Sequence, residues 1–125
     1  MLQHIALEIR EKDLQDFYIG ILGGILENEM TLREEDASNI FQIGKKVPVY
    51  FLKINDLTLE LFVNESIEHK SFQHLCISHE NALQILQKAK EKEYWTFLRK
   101  KEKGCTCFIR DANSNMFEIK NYNEK

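Results

Sequence analysis

The spacing of apolar and polar positions changes period several times along the chain, and each change marks an element. Leu2, Ile5, Leu7 and Ile9 supply the apolar side chains of a first strand over 2–9, which ends at Arg10-Glu11-Lys12. Asp13 is placed to cap a helix in which Leu14, Phe17, Tyr18, Ile21 and Leu22 fall at i, i+3, i+4, i+7 and i+8. Gly23-Gly24 supplies its stop. Residues 25–33 read as a strand, 34–39 as a polar loop, and 47–54 and 57–63 as two β-rich runs joined by a tight turn at Asn55-Asp56. The order then repeats. A strand over 72–78 leads to a helix over about 80–92, capped near Ser78, with Ala82, Leu83, Ile85, Leu86 and Ala89 turned inward. Strands over 94–98 and 105–110, a turn over 111–115 and a last strand over 116–122 complete the pattern. The expected fold is α+β, one domain over 1–125 built from two βαβββ modules at about 1–65 and 70–123.

Superposing the two modules pairs His4 with His74, each in a first strand, and Glu60 with Glu118, each in a last strand. Alternation puts Ala6 and Glu8 on the face of His4, and Cys76 on that of His74. It puts Thr58, Phe62 and Asn64 with Glu60, and Met116 and Lys120 with Glu118. Glu60 lies in Leu57-Thr58-Leu59-Glu60-Leu61-Phe62 and Glu118 in Met116-Phe117-Glu118-Ile119. A lone carboxylate in such surroundings carries a large desolvation cost, which a bound cation would offset.

Composition narrows the function classes. With 125 residues, 43% hydrophobic and 30% charged, the chain can bury a core without disulfides or a structural metal, so a metal here is expected to serve function. The net charge of −3, with no cationic run except Arg99-Lys100-Lys101, argues against nucleic acid. The longest apolar stretch, 19–26, is interrupted by glycines and far too short to span a bilayer, so no membrane partner is expected. Three cysteines cannot all pair within one chain, and the N-terminus has no leader pattern; a reduced, cytoplasmic protein is expected. Cys105 and Cys107 read as packing residues, Cys76 as a small buried one that could line a pocket, and His69 and His79 as solvated.

The chain resembles the vicinal oxygen chelate superfamily, the glyoxalase/bleomycin resistance/dioxygenase group, over nearly its whole length. His4-Ile5-Ala6-Leu7, Asp13-Leu14, Phe17-Tyr18 and Leu22-Gly23 are similar to the family's first strand and helix, and Phe72-Gln73-His74-Leu75 to the start of its second module. Phe108-Ile109-Arg110-Asp111 and Phe117-Glu118-Ile119 resemble its terminal hairpin. The usual Asp-Pro-Asp-Gly turn is here Asp111-Ala112-Asn113-Ser114-Asn115, with Asn115 expected at the glycine's positive φ. The resemblance implies a curved, barrel-like mixed sheet around a metal-bearing cup, and a homodimer. His4, Glu60, His74 and Glu118 would hold one divalent ion, Zn, Ni, Co, Mn or Fe. Whether the modules complete the site within one chain or by exchange between subunits stays open.

That resemblance further implies a glyoxalase I-like lyase or isomerase, related to lactoylglutathione lyase. It would act on a small oxygen-chelating substrate, a hemithioacetal, hydroxy ketone or acyl thioester, by proton abstraction and enediolate stabilisation. Glu118 is the first candidate for the base and Glu60 the second. Glu8 stands where glutathione-using members carry a cation, while Asn64 and Lys70 match family contacts; Phe62, Cys76 and Phe108 are candidate pocket walls. The alternatives are a ferrous dioxygenase, a thiol transferase of the fosfomycin-resistance kind, and a non-catalytic protein that sequesters a drug or metabolite.

Overall fold

A computed structural model describes residues 1–65 and 70–122; His69 lies outside them. The chain divides into two compact units, Met1–Ile67 and Glu68–Lys125.

The first unit carries the strands β1 (Ile5–Ile9), β2 (Ile25–Leu32), β3 (Val47–Ile54) and β4 (Leu57–Val63), in the spatial order β1-β4-β3-β2. β1 runs parallel to β4, and the other pairs are antiparallel. Asn55, at φ 52, turns β3 into β4. One face of this sheet is sealed: Leu52, Leu59 and Leu61 have no exposed surface, and neither do Phe17 and Tyr18. Those two come from the helical segment Leu14–Ile19, where a π-helix replaces the expected α-helix. Gly20 and Leu22 donate to the carbonyls of Gln15 and Phe17, five residues back, at 2.9 and 3.0 Å. Asp13 holds the expected N-cap position without capping through its side chain. It is buried and already helical at φ −73 and ψ −16.

Residues expected as a polar loop form a helix, α1 (Glu34–Phe41). Its stabilisers are local charges: Arg33 Nε donates to Asp36 Oδ2 at 3.1 Å, and Glu34, Glu35 and Asp36 fill the first turn, where the helix dipole favours anions. Gln42 closes it in the left-handed conformation at φ 58.

The second unit contains β5 (His74–His79), α2 (Ala82–Glu91), β6 (Thr96–Lys100), β7 (Cys105–Arg110) and β8 (Met116–Asn121), with sheet order β5-β8-β7-β6. Its core joins Ala82, Ile85, Leu86 and Ala89 of α2 to Cys107, Ile109, Phe117 and Ile119 of the sheet. Leu83 is 49% exposed and so does not face inward. The cap of α2 is Asn81, whose Oδ1 accepts the Gln84 N–H at 3.2 Å, because β5 continues to His79 and takes Ser78 into its ladder. In the 111–115 turn the positive φ falls on Ser114, at 70°, and not on Asn115.

Every strand pairing among the described residues stays within one unit. The expected single barrel-like sheet is therefore two open four-stranded sheets, neither closed on itself. No helix among the described residues is long and apolar enough to cross a membrane.

Candidate metal-ligand pairs and an adjoining cavity

In the first unit the parallel register sets Ala6 opposite Glu60, and His4 stands two residues before Ala6 on the same face. His4 Nδ1 comes to 3.0 Å from Glu60 Oε2. The second unit repeats this spacing: Cys76 is opposite Glu118, His74 stands two residues before Cys76, and His74 Nε2 lies 3.3 Å from Glu118 Oε1. In both pairs the histidine is the more open partner, at 46% and 41% exposure against 20% and 18% for the glutamates.

The His74 ring carries a chemical signature. Its Nδ1 is 2.9 Å from the Phe72 carbonyl oxygen, which can only accept, so Nδ1 holds a proton and donates. Nε2 then faces a carboxylate oxygen, another acceptor, and only a proton or a cation between them makes that approach favourable. A metal-binding histidine donates one ring N–H to such a carbonyl and turns the other nitrogen to its ion; His74 shares the first of these contacts, and its other nitrogen faces the Glu118 carboxylate. Each pair offers one imidazole and one carboxylate, a borderline donor set that suits a divalent transition ion. Among the described residues no group of three or more His, Cys, Asp or Glu side chains is arranged to hold a metal ion, so the pair is the element that the geometry presents.

Around Glu118 the outer face of the sheet is mixed in character. Lys120 Nζ lies 3.5 Å from Glu118 Oε2. Cys76 is exposed rather than buried, and partial burial together with the Glu118 charge pushes its thiol up, away from the thiolate a nucleophile needs. Phe108, opposite Glu118, is half-buried and lies 6.3 Å from the Phe97 ring. Lys70 is exposed ahead of β5. His79 is half-buried rather than solvated, and its Nδ1 accepts the Asn81 N–H at 2.9 Å.

Within the first unit, a cavity of about 250 Å³ opens on the face that carries Glu60. Leu32, Val47 and Phe62 of the sheet form one side; Ala37, Phe41 and Ile43 of α1 and its exit form another. Phe41 meets Phe62 edge to face at 5.5 Å. Glu8, Asn64 and Lys45 are its polar residues, and Asn64 Nδ2 donates to Glu8 Oε1 at 3.0 Å. Thus Glu8, Phe62 and Asn64 meet at one cavity, while Lys70, Cys76 and Phe108 stand in the other unit. Phe41, Ile43 and Lys45 carry no signal of a pocket wall in the sequence, because they lie at the end of α1 or just past it, and Ala37, Ile40 and Phe41 are the apolar residues of that helix.

No family model matches the chain, and no curated protein matches it. Solved structures do. FosX, a fosfomycin resistance protein from Listeria monocytogenes, superposes with a TM-score of 0.70 at 15% identity over 97% of this chain and 90% of that one. FosX from Mesorhizobium loti gives 0.68 at 15% identity over 96% and 90%. A glyoxalase family protein from Enterococcus faecalis gives 0.66 at 20% identity over 95% of each. A mutant of the Listeria protein has been seen with Mn(II) and 1S,2S-dihydroxypropylphosphonic acid. What is shared at these identities is the architecture, so the chain has the glyoxalase/bleomycin resistance fold.

Proposed function

We propose that the protein is a divalent-metal-dependent enzyme of the glyoxalase I-like type, a lyase or isomerase acting on a small oxygen-chelating substrate. His4, Glu60, His74 and Glu118 are the ligands of its ion. The observation that carries this reading is the repeated register, in which a histidine two residues before the strand partner of a glutamate is brought beside that glutamate in both units. Listeria FosX, bound to Mn(II) and a vicinal diol in the same fold, supports an ion paired with an oxygen-bearing ligand.

The ion would supply Lewis-acid stabilisation of negative charge on substrate oxygens. The chain supplies the rest. Glu118, held between His74 and Lys120, is the group assigned to take the proton next to the carbonyl, with Glu60 as the second candidate. Cys76, kept as a thiol, serves as a neutral wall.

The test is the metal content of protein purified without a histidine tag or chelator. About one ion per chain is expected, lost in both His4→Ala and His74→Ala. Full retention in both variants, or no uptake by the parent protein after reconstitution, would overturn the ligand set and favour a sequestering role. Glu118→Gln is expected to stop exchange of the substrate α-proton, and a fully active Gln variant would remove Glu118 as the base.

A further inference from the structure

The cavity between α1 and the ends of β1 and β4 has a chemistry of its own. Its volume of about 250 Å³ exceeds the roughly 150 Å³ that accommodates a benzene ring, so a ring or branched aliphatic group with a short extension fits it. Its walls are apolar, and Phe41 and Phe62 present ring surfaces to an occupant. The charged group fixed to the sheet is anionic: Glu8 lies on β1, opposite Phe62, and its carboxylate is oriented by the Asn64 amide. Glu8 and the cation of the lining, Lys45, are both exposed residues, but Lys45 sits on a flexible four-carbon stem past the end of α1. A carboxylate anchored by a strand and a neighbouring amide sets the local field more firmly than an ammonium free to swing into water.

We propose that this cavity receives the apolar, amine-bearing end of the substrate, and that Glu8 selects that end against carboxylates and phosphonates. Calling the occupant a substrate rests on the metalloenzyme reading, whereas the binding chemistry does not. Because His4, Ala6 and Glu8 share one face, an occupant seated here extends toward the His4–Glu60 pair along the strand. The same arrangement accounts for Glu8 in a position where a glutathione carboxylate would be repelled.

The experiment uses the full-length protein stripped of metal, and three probes of one shape: phenethylamine, 2-phenylethanol and phenylacetate. Binding is followed by the backbone amide NMR signals of Ala6, Phe62 and Asn64. The amine is expected to bind best and the acid worst, with about a tenfold span that shrinks as salt is raised. Glu8→Gln keeps an oxygen for Asn64 and removes the charge, so it should level the amine and the acid while 2-phenylethanol is unchanged. A Phe62→Ala variant should weaken all three together. Equal or tighter binding of phenylacetate, a preference unmoved by Glu8→Gln, or binding of none of the probes would overturn the proposal. Since no metal is present, these outcomes are separate from failure of the ligand set, which metal content reads.

Discussion

Removing the Asp111 carboxylate should loosen the turn that delivers Glu118. Asp111 is 4% exposed and sits between β7 and β8. Its Oδ1 accepts the backbone N–H groups of Asn113 and Asn115 at 3.0 and 2.8 Å, and its Oδ2 accepts the Asn115 side-chain amide at 2.8 Å. Asp111→Ala leaves two backbone donors of a mostly buried turn without that acceptor. At about 1–3 kcal/mol for each of these two donors, the sum is about 2–6 kcal/mol once the freed Asn115 amide has turned to water. Asp111→Asn can keep Oδ1 in place and sacrifices the charge and the Asn115 amide bond, so about 1–2 kcal/mol is expected. Urea unfolding of the two variants beside the parent, with unchanged m-values, measures both costs. The Ala variant should also bind metal more weakly, because Glu118 stands only two residues into β8. A cost below about 1 kcal/mol for Asp111→Ala would refute the reasoning. The backbone pairs Ser114 N–H to Asp111 O and Asp111 N–H to Asn115 O would then suffice to hold the turn.

Ser114→Gly should stabilise the protein by about 0.5–1 kcal/mol, since Ser114 holds a positive φ, whereas Asn115→Gly should destabilise it by losing the amide bond to Asp111; thermal melts separate the two. Gly24→Ala should cost about 1–3 kcal/mol, because the new methyl group would press on the buried Leu52 side chain and come within 2.9 Å of the Tyr18 carbonyl oxygen; a cost near zero in urea unfolding would contradict this packing. Tyr50 donates to Glu11 Oε1 at 2.5 Å, and that bond first, then burial and the Glu11 and Glu29 charges, push its hydroxyl up to about 12. The stability this adds is fully present below the usual tyrosine value of 10.0 and is lost as pH rises toward 12. Glu11→Gln should bring the Tyr50 ring titration back toward 10.0 by NMR, and no change would remove Glu11 as the cause.

The parts of the fold legible in the sequence are those in which burial alternates strongly. β3, β4 and β7 have the expected bounds, because runs such as Leu57–Val63 set core residues against half-exposed ones with period two. α1 was not legible, since Ala37 is its only buried residue and its stabilisers are the Arg33–Asp36 contact and an acidic first turn, which a polar loop also contains. The cap of α2 was misplaced because Ser78 and Asn81 are both good caps, and only the length of the β5 ladder decides between them. The positive φ was assigned to Asn115 by residue type, but the Asp111 carboxylate engages the Asn115 amide and the strained geometry falls one residue earlier. His4, Glu60, His74 and Glu118 could be singled out because alternation and a module repeat are properties of sequence, whereas the approach of each histidine to the glutamate of its own unit depends on the strand register. The cavity could not, since half of its apolar wall depends on a helix with no periodic stripe.

The two sheet faces divide stability from chemistry, and the strand period keeps them apart. In β4, Leu59 and Leu61 have no exposed surface while Glu60 between them is half-buried on the other face; in β8, Phe117 and Ile119 flank Glu118 in the same way. A one-residue slip of either strand would drive the carboxylate into the core and four-carbon or aromatic side chains out, a double cost that pins the register. The register that fills the core is therefore also the one that sets each glutamate beside its histidine. Core packing and the histidine–glutamate approach use alternate residues of the same strands, and the approach recurs in the same register in both units while most side chains around it differ.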